Sequence, residues 1–180
     1  MPYSFREIAP RAVIIFGVSG SGKSTLGVEL ASALACPFLD GDAFHSADAI
    51  AKMRSGQPLT DEDRWPWLDN LGHAINAEVV NHGVVVAACS ALRRVYRDRL
   101  RQTIQAPICF VLLDGERQEL QRRLSTRSGH YMPPSLLNSQ LETLERPTPD
   151  EAVIALDAGQ TPAVLRDQIF AQLAGAAAPK

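Results

Sequence analysis

Residues 11–25 read RAVIIFGVSGSGKST: an apolar run, a turn with glycines at 17, 20 and 22, then Lys23, Ser24 and Thr25. No other stretch limits the possible folds so tightly. The branched apolar run is the pattern of a strand buried on both faces. Residues 23–35, KSTLGVELASALA, place apolar side chains at helical spacing. A strand that runs through a glycine-rich turn straight into a helix gathers backbone N–H groups around one point and adds the positive end of the helix. Such a concavity takes an anion. The run Gly17, Val18, Ser19, Gly20, Ser21, Gly22, Lys23, Ser24, followed by Thr25, fits G-x-x-x-x-G-K-[ST], the phosphate loop of nucleoside triphosphate sites. In that context Lys23 reaches the β- and γ-phosphates and the Ser24 hydroxyl ligates Mg²⁺. A nucleoside triphosphate and Mg²⁺ are therefore the expected ligands.

The rest of the chain repeats the alternation. Apolar runs at 36–39, 83–89, 107–113 and 152–156 predict four more strands, and helical patterns cover 46–54, 66–82, 91–104, 116–127, 134–145 and 162–173. Five strands separated by helices imply right-handed crossovers and an α/β fold, a parallel sheet covered on both faces. With 180 residues, 46% of them hydrophobic, the expectation is one domain, its core at about 11–173. A net charge of −2 argues against nucleic acid as a partner. No run of 18 apolar residues occurs, and MPYSFREIAP lacks the apolar stretch of a signal peptide. Cys36, Cys89 and Cys109 are widely spaced and odd in number, which fits a reducing compartment. A cytoplasmic protein with no membrane contact is expected.

A phosphate loop does not say where the phosphate goes. The strand at 83–89 ends in CSAL without a carboxylate, whereas the strand at 36–39 runs into LDGDAFH. Strand alternation would point Asp40 and Asp42 the same way, beyond the carboxyl ends of the strands, where α/β folds bind ligands. That suits a small-molecule kinase, with one acid serving the metal's water shell (Asp40) and the other an acceptor hydroxyl (Asp42). Arg64, in the bend DEDRWPWL, is the residue type that grips a planar carboxylate. Arg93, Arg97 and Arg101 recur at i, i+4 and i+8 after CSAL; one or two are expected to enter the cleft and the others to pair with Asp98. The loop around 124–134, with Arg127 and His130, reads as a lid that excludes water.

FGVSGSGKST, FLDGDAFH, KMRSGQPLTDEDRWPWL, CSALRRVYRDRLR, RSGHYM and SQLETLERP follow one another in that order. Together they resemble the bacterial-type gluconokinases of the P-loop kinase superfamily, relatives of shikimate kinase, over about 11–173. The resemblance implies a three-layer P-loop kinase fold with sheet order 2-3-1-4-5, a helical substrate-binding segment and a lid, often as a homodimer. It implies transfer of the γ-phosphoryl group of ATP to the 6-hydroxyl of D-gluconate, feeding the pentose-phosphate or Entner–Doudoroff routes. By motif, Asp42, His45, Lys52 and Arg64 would line the gluconate side with Arg93 or Arg97, and Lys23, Asp42 and the lid residue Arg127 would act in catalysis. By similarity to shikimate kinase, Arg123 and Pro162 would sandwich the adenine. Two departures stand out. The usual H-P-x-x-N-x-x-K-M here has Ser46 for the proline and Ala49 for the asparagine, and Arg93 replaces a commoner lysine.

Overall fold

A computed structural model describes residues 8–126 and 136–175. Five strands, β1 (Arg11–Phe16), β2 (Phe38–Asp40), β3 (Val84–Cys89), β4 (Ile108–Asp114) and β5 (Ile154–Asp157), form one sheet in the order β2-β3-β1-β4-β5, every neighbour parallel. This is the expected 2-3-1-4-5 order. The phosphate loop leaves the central strand, so ligands held there sit over the middle of the sheet.

The connections are helical: α1 (Lys23–Ala33), α2 (Ala47–Arg54), α3 (Asp61–His82), α4 (Arg94–Thr103), α5 (Arg117–Thr126), α6 (Leu136–Thr143) and α7 (Pro162–Gly175). Alternation along β1 assigns them to the two faces of the sheet. Ala12, Ile14 and Phe16 pack with Trp67, Leu68, Leu71 and Ile75 of α3 and Tyr96 and Leu100 of α4. Val13 and Ile15 pack with Leu26 and Leu30 of α1 and Leu165, Ile169 and Leu173 of α7. Both sets are essentially fully buried, which is why β1 reads as an unbroken apolar run rather than an alternating one.

Three boundaries differ from expectation. Helix α3 begins at Asp61, not 66: Thr60 accepts the Asp63 N–H while the Asp63 carboxylate takes the Thr60 N–H, a capping box that fixes the start upstream of Pro66. Pro66 therefore sits inside the helix and Arg64 on its first turns, not in a bend. Helix α4 starts at Arg94, since Arg93 is its extended N-cap. At the end of β2 the backbone does not stay extended: Gly41–Phe44 forms a 3₁₀ turn capped by the Asp40 side chain. Strand alternation thus stops at Asp40 and does not fix the direction of Asp42. Arg127, His130 and most of the expected lid lie outside the described residues; only its first residues, 124–126, are seen, as the last turn of α5.

Candidate active site

The phosphate loop takes its shape from glycine. Gly17 has φ 150°, and a Cβ there would lie 2.6 Å from the Leu113 carbonyl oxygen. Gly22 caps α1 with φ 97°, a conformation L-residues rarely adopt, and supplies no side-chain acceptor to the first turn. The first N–H groups of a helix have no intrahelical partner, so they face the loop's concavity with the positive helix end behind them. Lys23 Nζ donates to the Val18 carbonyl at 3.0 Å. The Ser19 N–H donates to Gln140 Oε1 of α6 at 2.6 Å. On one side of the loop, Gly20, Ser21, Gly22 and Thr25 line a cavity of about 310 Å³ together with Arg123, Gln160 and Pro162. Arg123 is held there by Glu119, at 2.8 Å one turn earlier on α5.

Across α1, Ser24 Oγ donates to Asp40 Oδ2 at 3.0 Å, and Asp40 Oδ1 accepts the Asp42 N–H at 3.1 Å. One carboxylate thus ties the phosphate-loop helix to the turn that carries Asp42. The charges of Lys23, Asp42 and Asp40 all act on the buried Cys89 thiol at the end of β3, which burial pushes up to about 12. All three groups therefore gather over the centre of the sheet.

A second cavity of about 200 Å³ opens on the other side of the loop, lined by Asp61, Arg64, Leu92, Arg93, Tyr96 and Gln140 among others. Its charges are unevenly compensated. Arg93 donates to Asp61 at 2.6 Å and to Glu145 at 3.1 Å, and these two carboxylates hold its guanidinium charged. The Tyr96 hydroxyl donates to Asp61 at 2.5 Å, with Arg93 this holds the Asp61 carboxyl below its ordinary range. Arg64 differs. Its guanidinium lies 5.3 Å from the centre of the Tyr96 ring, its Nε is buried without a hydrogen bond, and among the described residues it makes no ion pair. Burial lowers its affinity for a proton, and the Arg93 charge adds to that. A cation in this state, beside a second cation, binds a carboxylate with little competition from the protein.

His45 stacks on Trp67, with ring centroids 4.3 Å apart and planes 16° apart, while the Trp67 indole N–H donates to the Gly41 carbonyl at 2.7 Å. Burial, aided by the Arg64 charge, pushes His45 down to about 4 and keeps it neutral. The two departures in this segment have a local use. The Ser46 hydroxyl caps α2 by accepting the Ala49 N–H at 3.1 Å, and Ala49 packs with Met53, Leu59 and Leu136 beneath the cavity.

Not every candidate residue reaches the cleft. Arg97 is a correction: its side chain is 0% exposed and forms a two-pronged pair with Glu151, at 2.7 and 2.8 Å, and it also donates to the Ala91 and Leu92 carbonyls. These four hydrogen bonds, to three residues, leave it structural. Arg101 pairs with Asp98 at 2.8 Å, as expected of the outer face. Lys52 binds Asp63 at 2.6 Å, alongside the capping box. Asp61, Tyr96 and Gln140 also line the cavity, and no motif marks Asp61 or Gln140 for it. Tyr96 was open to inference, one helical turn after Arg93 and so on the same face.

The sequence matches the shikimate kinase family over residues 19–174. A gluconokinase of Gluconobacter oxydans is 45% identical over 164 residues, covering 91% of each chain. The gluconokinase of Sinorhizobium meliloti superposes with a TM-score of 0.81 at 44% identity, covering 93% of this chain and 94% of that one. A sugar kinase from Janibacter superposes with a TM-score of 0.83 at 44% identity, covering 94% and 99%. With the phosphate loop, the 2-3-1-4-5 sheet and the two flanking cavities in place, these likenesses assign the chain to the gluconokinases of the shikimate kinase family.

Proposed function

We propose that the chain is an ATP-dependent gluconokinase that phosphorylates D-gluconate at O6. The observation that carries the reading is Arg64, an unpaired, partly buried guanidinium in a polar cavity on the acceptor side of the phosphate loop. A sugar acid offers the carboxylate that such a group lacks, and its far hydroxyl then extends toward the loop. Gluconokinases aligned over most of the chain support the same acceptor.

In this reading the triphosphate lies on the loop N–H groups with the adenine in the cavity between Arg123 and Pro162. Lys23 leaves the Val18 carbonyl for the transferring phosphoryl group, where its fixed charge offsets the charge that builds during transfer. Asp42 orients the 6-hydroxyl and takes its proton late; Arg93, His45 and Lys52 border the sugar acid, Lys52 held by Asp63 at 2.6 Å. The hydroxyl of Ser24 and the carboxylate of Asp40, 3.0 Å apart, are oxygen donors of the kind Mg²⁺ prefers. Among the described residues no cluster of three acidic, His or Cys side chains competes for that ion. Two protein oxygens leave the other positions to phosphate oxygens and water, which fits Mg²⁺; when bound, the ion neutralises phosphate charge and holds the γ-phosphoryl group in line.

The proposal extends to a cytoplasmic homodimer that supplies 6-phosphogluconate to the pentose-phosphate route, on the family resemblance. Among the described residues no helix is long and apolar enough to cross a membrane. The test is an ADP-release assay with D-gluconate, related aldonates and shikimate, coupled to 6-phosphogluconate dehydrogenase. NADPH formation with gluconate, dependent on Mg²⁺, is expected. Turnover with shikimate alone would make the chain a shikimate-type kinase, and turnover without Mg²⁺ would remove the Ser24–Asp40 site.

A further inference from the structure

Gln140 is one of the few polar side chains among the described residues that are buried, at 8% exposure, and it touches both halves of the site. Its Oε1 accepts the Ser19 N–H of the phosphate loop at 2.6 Å across 121 residues of sequence. The same residue lines the acceptor cavity with Arg64, Arg93 and Tyr96. Its helix, α6, is fixed to the surroundings of both. Leu137 packs with Val18 of the loop and Leu92 of the cavity, and the Glu145 N–H donates to the Leu92 carbonyl at 2.9 Å. The Glu145 carboxylate accepts from the Arg94 N–H at 2.7 Å and from Arg93 Nε at 3.1 Å. Helix α6 thus joins the acceptor cavity to the phosphate loop, with the Gln140–Ser19 hydrogen bond and the Leu137–Val18 packing among its contacts.

The chemistry of the contact is also informative. The loop must receive a polyanion, so an acceptor placed against it has to be uncharged; a carboxylate would hold the N–H equally well and repel the phosphates. An amide meets both demands. Ser19 stands at the third position of the loop, and a change in its N–H direction tilts the peptide planes beside it, which shape the phosphate cradle.

We propose that Gln140 is a positioning residue that sets the phosphate loop in register with the acceptor cleft, so that a seated sugar acid and an aligned γ-phosphoryl group are coupled through Ser19. The inference rests on the gluconokinase reading. Two full-length variants test it, with kcat and both KM values, ATP hydrolysis without acceptor, and Tm as readouts. Gln140→Met keeps the length and removes the acceptor atom. It is expected to lower kcat about 10- to 100-fold, the scale of a small misalignment of reacting groups, and to leave both KM values within about threefold. The fraction of ATP lost to water should rise. Gln140→Glu keeps shape and acceptor but adds charge; the KM for ATP should rise at least about tenfold.

A residue that merely stabilises the fold would lower Tm and leave these constants, per folded molecule, unchanged. Gln140→Met with kcat within about threefold of the parent overturns the proposal whatever its Tm. If that variant does not fold, the isosteric Gln140→Glu decides: an unchanged KM for ATP overturns it. A parent chain inactive with gluconate is a separate result and removes the functional reading itself.

Discussion

Arg64 and His45 show how two neighbouring side chains can be held in states that water would not favour. Arg64 keeps its charge with an aromatic ring and a distant carboxylate for company, so its pairing capacity is left for a ligand. A two-pronged grip on a carboxylate needs the planar guanidinium, and an ammonium at the same place supplies only a point charge. Arg64→Lys should therefore raise the KM for gluconate by about tenfold or more, with kcat changed less and the KM for ATP unmoved. Equal rises in both KM values would mark Arg64 as a structural residue of α3.

His45 is kept neutral by burial and by the Arg64 charge beside it. Its pKa is about 4 in the fold against 6.5 ordinarily. As pH falls below 6.5, the unfolded chain takes up this proton before the folded one does, so the His45 contribution to stability is fully present above 6.5 and is lost toward 4. Below that, carboxylates held low by their partners, Asp63 at about 2 and Asp61, protonate in turn. His45→Phe keeps a ring on Trp67 and cannot titrate. Its Tm should fall less than that of the parent between pH 7 and pH 5, measured in one buffer series; parallel curves would show that the proton goes elsewhere.

At the scale of single elements, α4 separates what a pattern of residues can tell from what packing decides. Arg93, Arg97 and Arg101 share spacing and chemistry, yet Arg93 faces the cavity, Arg97 is sealed in the core and Arg101 lies on the outer face. The spacing carries no information on which turn of the helix another segment covers; the segment at 149–151, bringing Glu151 to Arg97, decides it. The strands were legible because branched apolar runs leave few alternatives, and the phosphate loop because its glycines and Lys23 have one joint use. The start of α3 was legible only through the weaker Thr60–Asp63 pair, and Pro66 masked it. Asp61 and Gln140 were not, since their roles arise from contacts between segments far apart in the chain.

The Arg97–Glu151 pair gives the element-scale prediction. Arg97→Met leaves Glu151 buried with the Thr148 N–H at 3.4 Å and Arg101 at 3.6 Å to offset its charge. Breaking a buried pair from one side costs about 3–5 kcal/mol, and Arg101 should hold the loss to the lower end of that range. Chemical denaturation should show that loss, while KM for gluconate per folded molecule stays that of the parent. A rise in that KM without a loss of stability would return Arg97 to the substrate side.

Over the whole molecule, the phosphate loop lines one cavity and meets the other through Gln140, and the central strand carries that loop on a fully buried core. The site is thus set into a frame whose stability does not depend on the ligand-facing charges, and the two properties can be measured apart. A nucleotide that binds only the folded chain stabilises it by about 2.7 kcal/mol at a hundred times its Kd. For a protein of this length that corresponds to a rise in Tm of roughly 5–10 °C. Lys23 Nζ donates to the Val18 carbonyl of its own loop. Lys23→Ala should leave the Tm of the chain without nucleotide within about 4 °C of the parent, since a hydrogen bond of this kind contributes about 1 kcal/mol net. With nucleotide and Mg²⁺ at the same concentrations, the variant should lose most of the rise in Tm, and its turnover should fall by at least the 10²- to 10³-fold seen when a preorganised electrostatic group is removed. A variant that keeps the full rise in Tm and yet loses turnover would place Lys23 in the chemical step alone. A variant that keeps turnover within about threefold would mean that the loop does not hold the transferring phosphoryl group, and the assignment of both cavities would fall with it.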